Sequence, residues 1–273
     1  MTDTPGPPES RRRPESFDAV ADLYDAFRPA TPPDVVAAII GSARLRPGSR
    51  VLEIGCGSGQ LSVPLAAHGV DLTAIELGSN LAALARHNLE RFPNARVDVS
   101  SFEAWPLAAT RFDAVVCANA FHWLDPELRF AKCAGALHPG GRLAILHTHH
   151  VAGGTDDFFA DAQPIYLKWG LSSDPAFRPP EPAGVAASYP ELDARPEFGS
   201  VTRQRLEIPM QHTAVSYVGW LRTDSLVNTL PEDERRGFLA DIEHLIASRY
   251  GGSVVRNFVY ELVGATRVEP GEA

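Results

Sequence analysis

Between residues 17 and 150 the hydrophobic positions switch repeatedly between two patterns, short unbroken apolar runs and longer stretches repeating every three or four residues. Thr31-Pro-Pro-Asp34 has the chemistry of a helix start: a hydroxyl N-cap, a proline in the first turn and an acid at the positive end. Val35, Val36, Ile39 and Ile40 then share one face, and Arg46-Pro-Gly-Ser49 ends the helix. Strands are predicted over 51–54, 70–76, 95–99, 112–118 and 142–147. Helices are predicted over 61–67 and 80–91, and from a cap at Asp125-Pro126 to a stop at His138-Pro-Gly-Gly141. The 112–118 run is nearly all apolar, as expected of a strand covered on both faces. This alternation predicts an α/β fold with a doubly wound, mostly parallel sheet.

After residue 150 the rhythm breaks. Residues 152–198 hold seven prolines and seven aromatics (Phe158, Phe159, Tyr166, Trp169, Phe177, Tyr189 and Phe198), too apolar for a linker and too interrupted for a sheet. A small, mainly helical cap is predicted there, with 158–170 as its main helix. Regular patterning returns with a strand over 201–208, helices over 215–222 and 231–250, and a last strand over 254–263. The expected organisation is a disordered tail over 1–16, a sheet core over 17–150, a substrate insert over 151–200, completion of the sheet over 201–267 and a disordered end over 268–273. The tail carries four prolines and the Arg11-Arg12-Arg13 run, with too little apolar surface to offset its ordering entropy.

At 273 residues and 44% hydrophobic, the chain has ample material for a core. Its net charge of −9 argues against a uniformly basic surface that tracks nucleic acid. Cys56, Cys117 and Cys133 form no CxxC pair, which suggests a reducing, cytoplasmic compartment. No apolar run approaches the roughly 20 residues of a membrane span. The expected partner is therefore a small molecule rather than nucleic acid or membrane, with the chain a monomer or homodimer.

The most informative stretch is Val51-Leu-Glu-Ile-Gly-Cys-Gly-Ser-Gly-Gln60. Gly55, Gly57 and Gly59 let the backbone turn tightly, and the following helix presents free N–H groups to a ligand. Glu76 ends the next strand, where a carboxylate can accept hydrogen bonds from both hydroxyls of a ribose. The third glycine of the dinucleotide fingerprint is displaced, with Gln60 in its place, and the lysine of a phosphate loop is missing. The pattern thus calls for a ligand with a ribose, which need not contain a pyrophosphate.

Glu53-Ile-Gly-Cys-Gly-Ser-Gly59 resembles the signature of class I S-adenosylmethionine (SAM)-dependent methyltransferases. Val99-Ser-Ser-Phe-Glu-Ala-Trp-Pro106 resembles that family's adenine loop. Phe112 to Trp123 resembles its fourth strand and exit loop, and Leu137-His-Pro-Gly-Gly141 its turn into strand five. The likeness covers 17–150 closely and 231–267 more loosely. Phe17 to Pro33, with Tyr24 and Arg28, is similar to the opening segment of small-molecule members related to trans-aconitate methyltransferases.

The resemblance implies a seven-stranded Rossmann-like sheet with an antiparallel last strand, SAM as cofactor and S-adenosylhomocysteine (SAH) as product. It places Glu53, Gly55, Cys56, Gly57 and Gly59 around the methionine moiety, Glu76 on the ribose and Leu77 beside the adenine. Ser101 and Phe102 stand in the adenine loop, with Ser101 where many relatives have an aspartate. Asn119 and Ala120 would close over the sulfonium, and Tyr24 and Arg28 would fold over the cofactor.

His122 and His149 are the candidate general bases, each with a bland alternative. His122 could instead be a packing partner of Trp123, and His149 a polar strand-end residue. His147 and His149 share a strand face at a spacing that could chelate, but no third ligand is evident locally and no metal is expected. Arg28 reads equally as a carboxylate binder or a surface ion pair. Trp123, Phe159, Tyr166, Trp169 and Phe177 are the candidate substrate walls. The resulting expectation is methyl transfer to a small organic molecule, oxygen favoured. The Asn-Ala-Phe-His exit of strand four departs from the Asn/Asp-Pro-Pro-Tyr of the family's amino-group methylators of nucleic acids and glutamine. Rival readings are a protein or RNA methyltransferase, a SAM-binding protein without methyl transfer, and a nicotinamide dehydrogenase.

Overall fold

The computed structural model describes residues 14–107, 111–155 and 157–269. The rest of the tail expected over 1–16 and of the end expected over 268–273 lies outside the described residues, while Pro14–Val20 is a 3-10 helix. Seven strands form one sheet: β1 (Arg50–Ile54), β2 (Asp71–Glu76), β3 (Ala95–Val99), β4 (Phe112–Ala118), β5 (Leu137–Gly154), β6 (Thr202–Thr213) and β7 (Ser253–Thr266). Their spatial order is β3-β2-β1-β4-β5-β7-β6. β1 pairs in parallel with β2 on one side and β4 on the other, so the winding reverses direction there. Such a reversal opens a crevice beyond the carboxyl ends of the two central strands. Gly140 N and Arg267 O bond near the start of β5 and the end of β7, and Thr155 N and Val255 O bond at the opposite ends. β7 is therefore antiparallel to β5, as expected of the last strand.

Eight α-helices accompany the sheet among the described residues: α1 (Ala21–Phe27), α2 (Pro33–Ser42), α3 (Ser62–Ala67), α4 (Ser79–Leu89), α5 (Arg129–Ala136), α6 (Asp157–Lys168), α7 (Ala214–Leu221) and α8 (Glu232–Arg249). The bounds of β3 and β4 are those the apolar runs predict. Three local expectations need correction. Pro32, not Thr31, is the N-cap of α2, without a side-chain cap bond. Asp125 caps a preceding turn through its bond from Glu127 N, and α5 begins only at Arg129. His138-Pro-Gly-Gly141 is not a free turn but a bulge in β5: Phe112 pairs with Leu137 and Ala114 already with Arg142.

The chain gathers into two compact units. One contains Pro29–Thr148, Ala186–Leu206 and the described residues from Tyr260 onward. Its core joins Leu52, Ile54, Val115, Cys117, Phe121, Phe130 and Ile145. The other contains the described residues up to Arg28, His149–Val185 and Glu207–Val259, with Phe158, Tyr217, Phe238, Ile242 and Ile246 in its core. The division differs from linear boundaries at 150 and 200: the insert expected over 151–200 is shared between the units.

Candidate functional site

In the first unit the glycine turn leaves β1 with all three glycines at positive φ, 69° at Gly55, 58° at Gly57 and 106° at Gly59. A Cβ on Gly55 would stand 2.5 Å from the Ala120 Cβ, so the turn and the exit of β4 are in direct contact. Asn119 sits at the same exit at φ 57°, its side-chain Oδ1 accepting from Thr148 N at 2.8 Å. Asparagine tolerates this left-handed conformation better than most residues.

Glu76 is 8% exposed and ties the turn to β2. Its Oε2 accepts from Gly57 N at 2.8 Å and its Oε1 from Gly78 N at 3.0 Å. Glu53 is 2% exposed, and Ser62 donates to its Oε2 at 2.6 Å. Burial pushes the Glu53 carboxyl up to about 8, the Ser62 hydrogen bond opposing and the Glu76 carboxylate adding to the rise. Glu53 therefore holds its proton at neutral pH. Cys56 is buried with its thiol pushed well up by burial and by the Glu53 and Glu76 carboxylates, so it packs rather than reacts.

Leu77 is 43% exposed beside the end of β2. Ser101 Oγ accepts from Ala104 N at 3.1 Å, so the hydroxyl caps its own turn, and Phe102 is buried beneath it. His122 and Trp123 lie on a 3-10 turn after β4, their rings 4.7 Å apart. His122 is exposed and stacks on His147 at 5.7 Å and 15° between planes. His147 Nδ1 lies 3.3 Å from Ser188 Oγ. The structure thus brings His122 together with His147, the first histidine of the run His147-Thr-His-His150 in β5. Among the described residues no group of three or more His, Cys, Asp or Glu could hold a metal.

In the second unit Arg28 donates from Nε to Thr223 Oγ1 at 2.7 Å and from Nη2 to Thr223 O at 3.1 Å. Its guanidinium lies over the Tyr24 and Trp220 rings at 5.2 and 5.6 Å. The surface ion pair offered as one reading of Arg28 is absent from the described residues; backbone and aromatic contacts fix it instead. Tyr166 stacks on Phe238 at 5.0 Å, and Trp169 Nε1 donates to Asp241 at 2.8 Å, placing both in the packing of α6 on α8. Phe159 lies 4.1 Å from the Arg256 guanidinium, Phe177 is 38% exposed and His149 is half-buried on β5. Ser62 and Arg256 were missed from sequence. The lone arginine in the apolar run Val254-Val-Arg-Asn-Phe258 was the available signal for the second.

Residues 52–145 match the methyltransferase domain family. An uncharacterized methyltransferase of Mycobacterium bovis is 31% identical over 131 residues, 48% of this chain and 51% of that protein. A ubiquinone biosynthesis O-methyltransferase of Xanthomonas axonopodis is 44% identical over 110 residues, 38% of this chain and 45% of the other. The chain thus spans about half the length of the curated relatives it matches. Among solved structures, phosphoethanolamine N-methyltransferase 2 of Haemonchus contortus superposes with a TM-score of 0.56 at 14% identity, covering 94% of this chain and 60% of that one. A SAM-dependent methyltransferase from Thiobacillus denitrificans gives 0.51 at 17% identity, covering 91% and 98%. Glycine turn, acidic strand end and sheet order agree with the match of residues 52–145 to the methyltransferase domain family.

Proposed function

We propose that the chain is a SAM-dependent methyltransferase acting on a small organic molecule, with oxygen the favoured methyl acceptor. The observation that carries this reading is the buried Glu76 carboxylate, held at the mouth of the glycine turn by Gly57 and Gly78 N–H. The residues fit the cofactor's parts. Glu76 is positioned to take the ribose hydroxyls, and the half-exposed Leu77 side chain offers an apolar face to adenine. The turn, left without Cβ atoms at its three glycines, admits the methionine end against the backbone. Glu53 is a neutral acid in the unliganded protein. It supports a site for an ammonium group, which can replace the proton it holds.

When bound, the cofactor supplies a methyl already activated by its sulfonium. The protein's task is then to align the acceptor in line with that methyl and to exclude water, which can be worth about 7–11 kcal/mol of barrier. Asn119 and Ala120, fixed at the exit of β4, border this region. His122 is the candidate to take the acceptor's proton, with His147 stacked behind it and His149 as the alternative. Tyr166 and Trp169 are taken up in the packing of α6 on α8, and Trp123, beside His122, is the better candidate for a substrate wall. The curated O-methyltransferase relatives support oxygen as acceptor. Three buried free thiols support a reducing, cytoplasmic setting.

Calorimetric titration with SAH, repeated on Glu76→Ala and with NAD as control, tests the reading. Losing a charge-assisted contact costs about 1.5–3 kcal/mol, some ten- to hundredfold in affinity. Micromolar SAH binding that weakens by this factor, with no NAD binding, is expected. Absence of SAH binding would overturn the reading, and binding without SAH production from any acceptor would reduce it to cofactor binding alone.

A further inference from the structure

Among its described residues, the second unit buries a cation that no carboxylate pairs with. Arg256 is 5% exposed on β7. Its Nη1 donates to the Tyr217 hydroxyl and its Nη2 to His150 Nδ1 at 2.8 Å. A guanidinium cannot accept, so His150 Nδ1 is the acceptor and the imidazole is neutral with its proton on Nε2. Burial and the nearby Arg256 charge hold His150 well below its usual range, and push the neighbouring His212 down to about 4. Arg256 Nε is buried without any acceptor, and among the described residues no carboxylate pairs with the guanidinium. Two of its five N–H donors are spent, and the remaining ones retain the planar fork that matches a carboxylate.

The walls are aromatic. Phe159 lies 4.1 Å from the guanidinium carbon and Phe258 6.0 Å. Trp220 lies 5.8 Å away and also receives Arg28 at 5.6 Å, so two cations share one indole. Cation–π contacts offset part of the burial cost but leave the net charge and the Nε donor unanswered. Around this buried guanidinium, Phe159, Trp220 and His150 are only half-buried.

We propose that Arg256, with its aromatic surround, is a binding site for the carboxylate of a small acid that carries a flat or apolar body. The proposal goes beyond the methyltransferase reading, because it concerns a ligand held within the second unit. The binding step itself needs no cofactor. A planar carboxylate is favoured over phosphate because the open donors belong to one guanidinium fork, with no lysine among the groups around it.

The test is thermal unfolding and tryptophan fluorescence of the full chain with benzoate, phenylacetate and phosphate. Each is compared with chloride at equal ionic strength, for wild type, Arg256→Met and Arg256→Lys. The expected result is that the two carboxylates raise the Tm of wild type above the chloride control. Affinity should fall about ten- to hundredfold in Arg256→Met. Arg256→Lys keeps the charge without the fork, should bind less tightly than wild type, and covers the case in which the methionine variant does not fold. Indifference of wild type to both carboxylates, or equal binding by wild type and a folded variant, overturns the site. A phosphate response as strong as benzoate overturns the carboxylate assignment. SAH titration of the same samples separates this outcome from failure of the methyltransferase reading, since a wild type that binds benzoate and not SAH keeps the site and loses the reading.

Discussion

Glu53 offers a prediction in which sign and size both follow from burial. An unfolded Glu53 loses its proton near pH 4.5, while the folded one keeps it until about 8. Across that window the folded state binds the extra proton, so this residue makes the protein less stable as pH rises. The slope is about 1.4 kcal/mol per pH unit. Glu53→Gln cannot ionise and still offers Ser62 an acceptor oxygen in place of Oε2. Relative to wild type, the variant should gain about 2.5–3 kcal/mol between pH 5 and pH 7, levelling off above about pH 8. For a chain of this size that is a relative Tm gain of about 5–12 °C. Urea unfolding of both proteins at pH 5, 6, 7 and 8 measures it. A stability difference that stays constant with pH would refute a neutral Glu53. The same proton gives a second readout: SAH titrated at pH 7 in buffers of different ionisation enthalpy should release about one proton in wild type and none in Glu53→Gln.

Two other substitutions probe the site more directly. Gly55→Ala places a Cβ 2.5 Å from Ala120 Cβ at φ 69°, and should cost about 2–4 kcal/mol from overlap and left-handed strain together. Adding Ala120→Gly should recover the overlap part only, and full recovery in urea unfolding would show that the backbone conformation carries no cost. His122→Ala should leave SAH affinity within about twofold and lower turnover about a hundredfold or more if His122 is the base. Unchanged turnover removes His122 from the chemistry, and the same measurement on His149→Ala decides between the two histidines.

Much of the sheet was legible because its signals are local. The runs at 95–99 and 112–118 are bounded by polar residues, and a strand covered on both faces has little choice but to be apolar throughout. Glycine at 55, 57 and 59 states a backbone requirement that no tertiary context can hide, and Glu76 follows from its place at the end of the next strand. The cap of α2 and the start of α5 were misplaced because proline and aspartate signal a turn as readily as a helix start, and local hydrogen bonds decided between them. The bulge in β5 was invisible for a similar reason: Pro139, Gly140 and Gly141 have turn chemistry, and only pairing with β4 on one side and Arg267 on the other draws them into the sheet.

The sequence by itself determined the alternating fold, the glycine turn and the acid opposite it, since each depends on the period of the side chains or on conformations open to few residues. The tertiary structure alone decided the state of the charges. Glu53 is neutral because β1 is buried and Glu76 is near, and His150 is neutral because Arg256 reaches it across 106 positions of chain. It also decided which residues meet: His122 with His147, Arg28 with Thr223, and Arg256 with no carboxylate among the described residues. Desolvation and Coulomb interaction depend on distance in space, which the linear order of a chain does not contain.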